Sequence, residues 1–232
     1  VGDALLESGR ANVGVTEHNG VTCLKLTLLN PVVTLDDVKA VLRNHYEGTS
    51  HDPYTNGLNG KEPWRPVSVF RTYEAHVMQV RPWLPKEIGE TTYIGLGMAD
   101  LTAFVPYYSG LKAYPANYTM GTDKADDQSI YWKYRKLQTL TMTDYPKLAP
   151  IVKKAYKAWE DKVAKEQKEV EAEYLKMAKT DKPAADKMLN DFNLRIMADA
   201  EKLTEDLTNQ LFTIRTKDIQ SDIFFANAAK KD

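Results

Sequence analysis

The chain has 232 residues, of which 43% are hydrophobic and 27% charged, proportions that suit one large globular domain or two small ones. Its 31 basic and 32 acidic side chains leave a net charge of −1, so no field of one sign points to nucleic acid or an anionic membrane as partner. The longest apolar-rich stretch, around Val21–Leu29, is well short of the roughly 20 residues that span a bilayer. The single Cys23 excludes an internal disulfide.

The start, Val1-Gly-Asp-Ala-Leu-Leu-Glu, has no basic or apolar leader signature, and with the lone cysteine it sets a cytoplasmic expectation. A first residue that is valine suggests a processed chain or a fragment. Val1–Gly20 carries scattered glycines and no sustained period. Val21–Leu29 alternates strand formers and predicts a strand ended by Asn30-Pro31. Thr34-Leu-Asp-Asp37 has the form of a capping box and predicts a helix over about 34–46, with Asp36 and Asp37 favoured by the helix dipole. Gly48–Pro66 is a long Gly/Pro-rich loop of the kind that covers a site.

Val67–Tyr73, Ala75–Arg81, Thr91–Leu96 and Leu101–Tyr108 then predict four short strands in an antiparallel meander, with Pro106 near a strand end. From Gln128 the pattern turns helical. Leu148, Val152, Ala155, Trp159, Val163, Val170, Tyr174 and Met177 form one stripe on a long helix. Thr180-Asp-Lys-Pro183 marks a turn. Met188, Phe192, Ile196, Ala200, Leu203, Leu207, Leu211 and Ile214 repeat the stripe, and the two helices read as a hairpin. Ile223-Phe-Phe225 predicts a last strand. The lysines at 147, 153, 154, 157, 162 and 165 read as a solvated face. The fold class is α+β, in one structural domain, with a sheet-rich part over 1–127 and a helical part over 128–232 that packs on it.

No Walker loop, GxGxxG, HExxH, CxxC or GxSxG is present. His45, His51 and Asp52 are close in sequence, but a zinc site needs three or four convergent ligands, and no metal is expected. Cys23, within a strand pattern, reads as a small inert hydrophobe. The block Arg65-Pro-Val-Ser-Val-Phe-Arg-Thr-Tyr-Glu-Ala-His76 is the candidate site. An arginine on an apolar-flanked strand either pairs with a carboxylate, Glu74 being the nearest, or offers its donors to a ligand. Residue physics leaves both readings open.

The run Val38–Thr49 followed by Asp52-Pro53, the block Arg65–Arg81, Leu84-Pro85, Tyr93–Gly97 and Phe104–Tyr108 resemble the dipeptidase A family of bacteria. These are cysteine-type dipeptidases, distantly related to secernins and penicillin V acylases. The resemblance implies a four-layer αββα sandwich of the N-terminal-nucleophile class. It also implies a cysteine nucleophile at the start of the mature chain, with its own α-amino group as base and an acyl-enzyme intermediate. No metal or organic cofactor is implied.

Cys23 matches no nucleophile motif, so the resemblance suggests a carboxy-terminal portion whose nucleophile lies in a missing amino-terminal part, inactive by itself. Arg71 is the first candidate for holding substrate, with Thr72, His76 and Arg65 behind it. The expected partners are a small peptide, the amino-terminal part of the same protein and further copies of the chain. The alternatives are a non-catalytic binding or assembly module, and an enzyme that uses Cys23 after cleavage at Thr22.

Overall fold

A computed structural model of the chain describes residues 12–18, 21–27, 33–55 and 65–228, with the backbone alone for 12–18, 21–27 and 224–228. Strands β1 (Asn12–His18) and β2 (Val21–Thr27) form an antiparallel pair of their own. Helix α1 (Leu35–Arg43) follows its predicted capping box: the Thr34 N–H donates to Asp37 at 2.8 Å, and the Asp37 N–H donates to Thr34 Oγ1 at 3.2 Å. The helix ends at Arg43, short of the predicted 46, because Asn44 is extended and Tyr46 takes a positive φ of 64°. That early stop turns His45 into the interior.

Three antiparallel strands make the second sheet, in the order β3 (Glu74–Val80), β4 (Glu90–Leu96) and β5 (Val105–Tyr108). A one-turn helix, α2 (Lys86–Gly89), joins β3 to β4. Gly89 is required there, since a Cβ would sit 2.8 Å from the Arg81 carbonyl. The predicted strand at Val67–Tyr73 does not form. That segment is a turn, closed by the Thr72 N–H on the Val69 carbonyl at 3.0 Å, because its backbone groups are claimed by side chains and loops rather than by a strand. The predicted last strand at Ile223–Phe225 is also absent, being the continuation of a helix.

Helices α3 (Ile130–Met142), α4 (Tyr145–Met177) and α5 (Lys182–Ala228) complete the described chain. The two predicted apolar stripes face inward, with Leu148, Val152, Val163, Tyr174, Ile196, Ala200, Leu207 and Leu211 all buried. Stacked Tyr134 and Tyr156 rings and a Tyr156–Thr204 hydroxyl contact of 2.8 Å tie the three helices together. One face of the sheet packs Ala75, Val77 and Tyr93 against Leu35 and Leu42 of α1. The other carries Ile94, Leu96, Val105 and Tyr107 into the core shared with the helices. Among the described residues no helix is long and apolar enough to cross a membrane.

The sheet's two edges are treated differently. On β5, buried Asn193 of α5 acts as a surrogate strand: its amide donates to the Pro106 carbonyl at 2.7 Å and accepts from the Tyr108 N–H at 3.1 Å. Pro106 is tolerated because β5 is an edge strand. On β3 the outward face is open, with Met78 70% and Val80 67% exposed and Tyr73 and Trp83 standing beside it at 76% and 75%. Replacing Asn193 by leucine keeps the forked shape of the side chain and leaves both backbone groups without a partner. The expected loss is about 2–4 kcal/mol in urea unfolding, and a loss under about 1 kcal/mol would contradict the edge-capping role.

Candidate functional site

The turn over residues 65–73 is held from below by Ser68, which is fully buried. The Ser68 N–H donates to the Asn44 carbonyl at 3.0 Å, and its own carbonyl accepts from Tyr54 Oη at 2.8 Å. Its Oγ accepts from the Asp100 N–H at 2.9 Å. Every polar group of Ser68 is thus tied to a different segment, which fixes the start of the turn.

Under Ser68 lies a buried polar cluster. His45 Nδ1 is 3.0 Å from Asp52 Oδ1, and His45 Nε2 is 2.8 Å from Tyr145 Oη, which in turn donates to Asp100. With the Tyr145 proton given to Asp100, both ring nitrogens face oxygen atoms that accept, an arrangement that suits the imidazolium. Burial opposes that charge, but the Asp100 bond and the charges of Asp100, Asp52 and Glu47 outweigh it and raise the His45 pKa. Asp100 is likewise penalised by burial, yet its bonds from His45, Lys153 and Tyr145 hold its pKa below the ordinary value. Asp52 is lowered against its burial penalty by Thr55, Tyr54 and His45. Burial, with the Asp100 and Asp52 charges beside it, pushes the Tyr54 phenol up to about 12, so it stays a donor to Ser68.

Lys153 does not belong to a solvated lysine face as the sequence suggested. Its ammonium turns inward, 2.8 Å from Asp100 Oδ1, and pairs with Glu47 as well. The ligand atoms of His45, Glu47 and Asp100 lie within 4.8 Å of one another, a spacing that suits a metal ion. The positive charge standing at that cluster is the Lys153 ammonium, and His45 already spends both nitrogens on Asp52 and Tyr145. Of the sequence group His45, His51 and Asp52, the structure bonds His45 to Asp52 directly and leaves His51 near the Tyr46 ring.

The expected site residues take these places. Arg65 and Arg71 are exposed and Thr72 is half-buried, all on the turn. His76 lies on the outward face of β3, where its Nδ1 is 2.9 Å from Glu74 Oε1, a bond that raises its pKa. Glu74 therefore partners His76, and among the described residues no carboxylate pairs with Arg71. Among the described arginines, Arg43, Arg81, Arg135, Arg195 and Arg215 all donate to protein oxygens. No hydrogen bond or ion pair within the described residues involves the Arg65 or Arg71 guanidinium. Sequence reasoning missed Ser68, Asp100, Tyr145 and Lys153. Asp100 read as a turn residue and Tyr145 as a helix start, and nothing local joins positions so far apart.

The model of peptidase family C69 matches residues 27–158, more than half the chain. The chain belongs to peptidase family C69. The C69 segment contains α1, the turn, the sheet, α3 and the first turns of α4, and so the whole of the cluster and the turn above it. The chain is similar to the probable dipeptidase of Salmonella dublin, 51% identical over 98 residues, or 41% of this chain and 22% of that protein. It is 32% identical over 102 residues to the probable dipeptidase B of Lactococcus lactis, 43% of this chain and 22% of that protein. With dipeptidase A of Lactobacillus helveticus it shares 27% identity over 120 residues, 50% of this chain and 25% of that protein. The matched part of this C69 chain spans only about a quarter or less of these relatives' length.

The electrostatics of the cluster set a pH dependence. A raised His45 pKa contributes stability that is fully present below the ordinary value of 6.5 and is lost as pH rises through the raised one. The depressed Asp52 and Asp100 contribute above their ordinary 3.8 and lose that contribution as pH falls. His45→Gln should therefore cost about 3 kcal/mol at about pH 5 and distinctly less at about pH 9, measured by urea unfolding. A cost that stays level or grows with pH would contradict an imidazolium at this position.

Proposed function

We propose that the chain is the carboxy-terminal, substrate-holding part of a cysteine dipeptidase. In this reading the nucleophilic cysteine and its α-amino group come from polypeptide outside these 232 residues. The thiolate attacks the peptide carbonyl, the amine takes up and returns the proton, and water releases the acyl group. Hydrogen-bond donors around the carbonyl stabilise the tetrahedral oxyanion. The reaction as proposed needs no metal or organic cofactor.

The observation that carries this reading is a pair of exposed arginines on one turn whose guanidinium groups have no hydrogen-bond or ion-pair partner among the described residues. A dipeptide differs from a longer peptide in having its free carboxylate one residue from the scissile bond. An exposed, positioned guanidinium recognises that group with two parallel donors. We assign that role to Arg71, with Thr72, Arg65 and His76 lining the approach. The names of the relatives support peptide hydrolysis as the class of chemistry, and the C69 match covers the turn itself.

We place the β3–β5 sheet within an αββα sandwich. Its open β3 face, with exposed Met78 and Val80, is the natural seat for the rest of the fold. The same face supports the second reading, an assembly surface for copies of the chain, and a homo-oligomer is proposed on that ground. The compartment proposed is the cytoplasm.

In the complete polypeptide, Arg71→Gln should lower kcat/KM for dipeptides about 100-fold and leave the unfolding midpoint unchanged, since the side chain is exposed. A change under about threefold would remove Arg71 from the site. The 232-residue chain alone should hydrolyse no dipeptide. If it does, and Cys23→Ser abolishes the activity, the nucleophile is Cys23 and the assignment above is wrong.

A further inference from the structure

We infer that Arg135 on α3 is a positioning residue for the same site: it does not touch substrate but sets where Arg71 points. The inference rests on the carboxylate-binding role of Arg71. Phe70 immediately precedes Arg71, and its carbonyl accepts from Arg135 Nη1. The Phe70 ring lies against the same guanidinium, with Arg135 Cζ 4.4 Å from the ring centroid. Arg135 Nη1 also donates to Gln138 Oε1 at 3.2 Å.

Gln138 is fully buried and ties that pair to the end of β4. Its Oε1 accepts from the Met98 N–H at 3.1 Å, and its Nε2 donates to the Leu96 carbonyl at 2.8 Å. At the far end of the turn the Tyr73 carbonyl accepts from the Gly97 N–H at 2.7 Å. Gly97 has a φ of 77°, and a Cβ there would come within 2.2 Å of Gln138 Oε1, so only glycine fits against the clamp. Arg71 and Thr72 thus sit between two carbonyls, of residues 70 and 73, that are both referred to Arg135 and Gln138.

The bonding of Arg135 fits positioning rather than ion pairing. Among the described residues it has no carboxylate partner, and its donors go to the Phe70 carbonyl and the Gln138 amide oxygen. Its faces are set against Phe70 and, at 5.9 Å, against Tyr131, whose ring lies 6.3 Å from that of Tyr73. A lysine keeps the charge but has neither the planar fork nor the stacking face.

The experiment uses the complete enzyme and compares kcat/KM for a dipeptide with a free carboxylate and for the same dipeptide as its carboxamide. Arg135→Lys should lower kcat/KM for the acid about tenfold and leave the amide within about twofold, so that the acid-to-amide preference shrinks. Acid and amide falling together, or neither falling, would overturn the inference, since a merely structural role does not sense the substrate carboxylate. Should Arg135→Lys fail to fold, Phe70→Leu removes the stacked ring but keeps the carbonyl, and it should shrink the preference in the same selective way or the inference falls. Arg71→Gln measured alongside separates the two claims. If it leaves the preference intact, the reading of Arg71 fails. If it abolishes the preference while the Arg135 and Phe70 variants do not, only the positioning role fails.

Discussion

A buried imidazolium between carboxylates is costly to desolvate and stable only when each charge has a partner in good geometry. His45 meets that condition: Asp52 on one nitrogen, Tyr145 on the other, and Asp100 behind Tyr145 with Lys153 as its counterion. The parts come from four separate stretches: the end of α1, the loop after it, the exit of β4 and the start of α4. The network therefore fixes how these stretches sit relative to one another. Asp100 then passes that order outward, because its backbone N–H is the donor that holds Ser68 at the root of the exposed turn.

The surrounding packing follows the same rule of sharing one polar group among several elements. Glu160 of α4 accepts from Arg43 of α1 at 2.6 Å and from the Phe104 N–H at 2.7 Å, which joins α1 and the β5 approach to the bundle. Glu171, one helical stretch further on, takes both Arg81 nitrogens and the Tyr108 hydroxyl. Along α4 the apolar stripe gives cohesion, and the buried Glu160 and half-buried Glu171 choose the register against the sheet. Such groups cost stability when left unpaired, so they discriminate against alternative packings more than they add to the native one.

The helices were largely legible in the sequence because their signals are local. The capping box at Thr34 and Asp37 and the paired stripes of α4 and α5 depend on residues three or four apart. Val67–Tyr73 reads as a strand because Val67, Ser68 and Val69 alternate like one, while the forces that bend it come from Asn44, Tyr54, Asp100, Arg135 and Gly97. Lys153 was misread for a similar reason. Its neighbours in sequence are solvated lysines, and only the fold brings Asp100 to it. Arg71 stands out in the sequence as an arginine in an apolar-flanked stretch, and only the fold shows that Glu74, its nearest carboxylate in sequence, is engaged by His76 instead.

The charge of His45 is what anchors the Ser68 turn, and nitrogen NMR of the histidine-labelled chain tests it directly. At pH 6.5, the ordinary histidine value, more than half of the His45 rings should carry a proton on both nitrogens, because the pairing around the ring raises its pKa. Persistence of the doubly protonated His45 signal at that pH supports a charged anchor beneath the Ser68 turn. A single neutral tautomer there would contradict it, and with it the claim that ionic pairing around His45 holds the Arg71 turn in place.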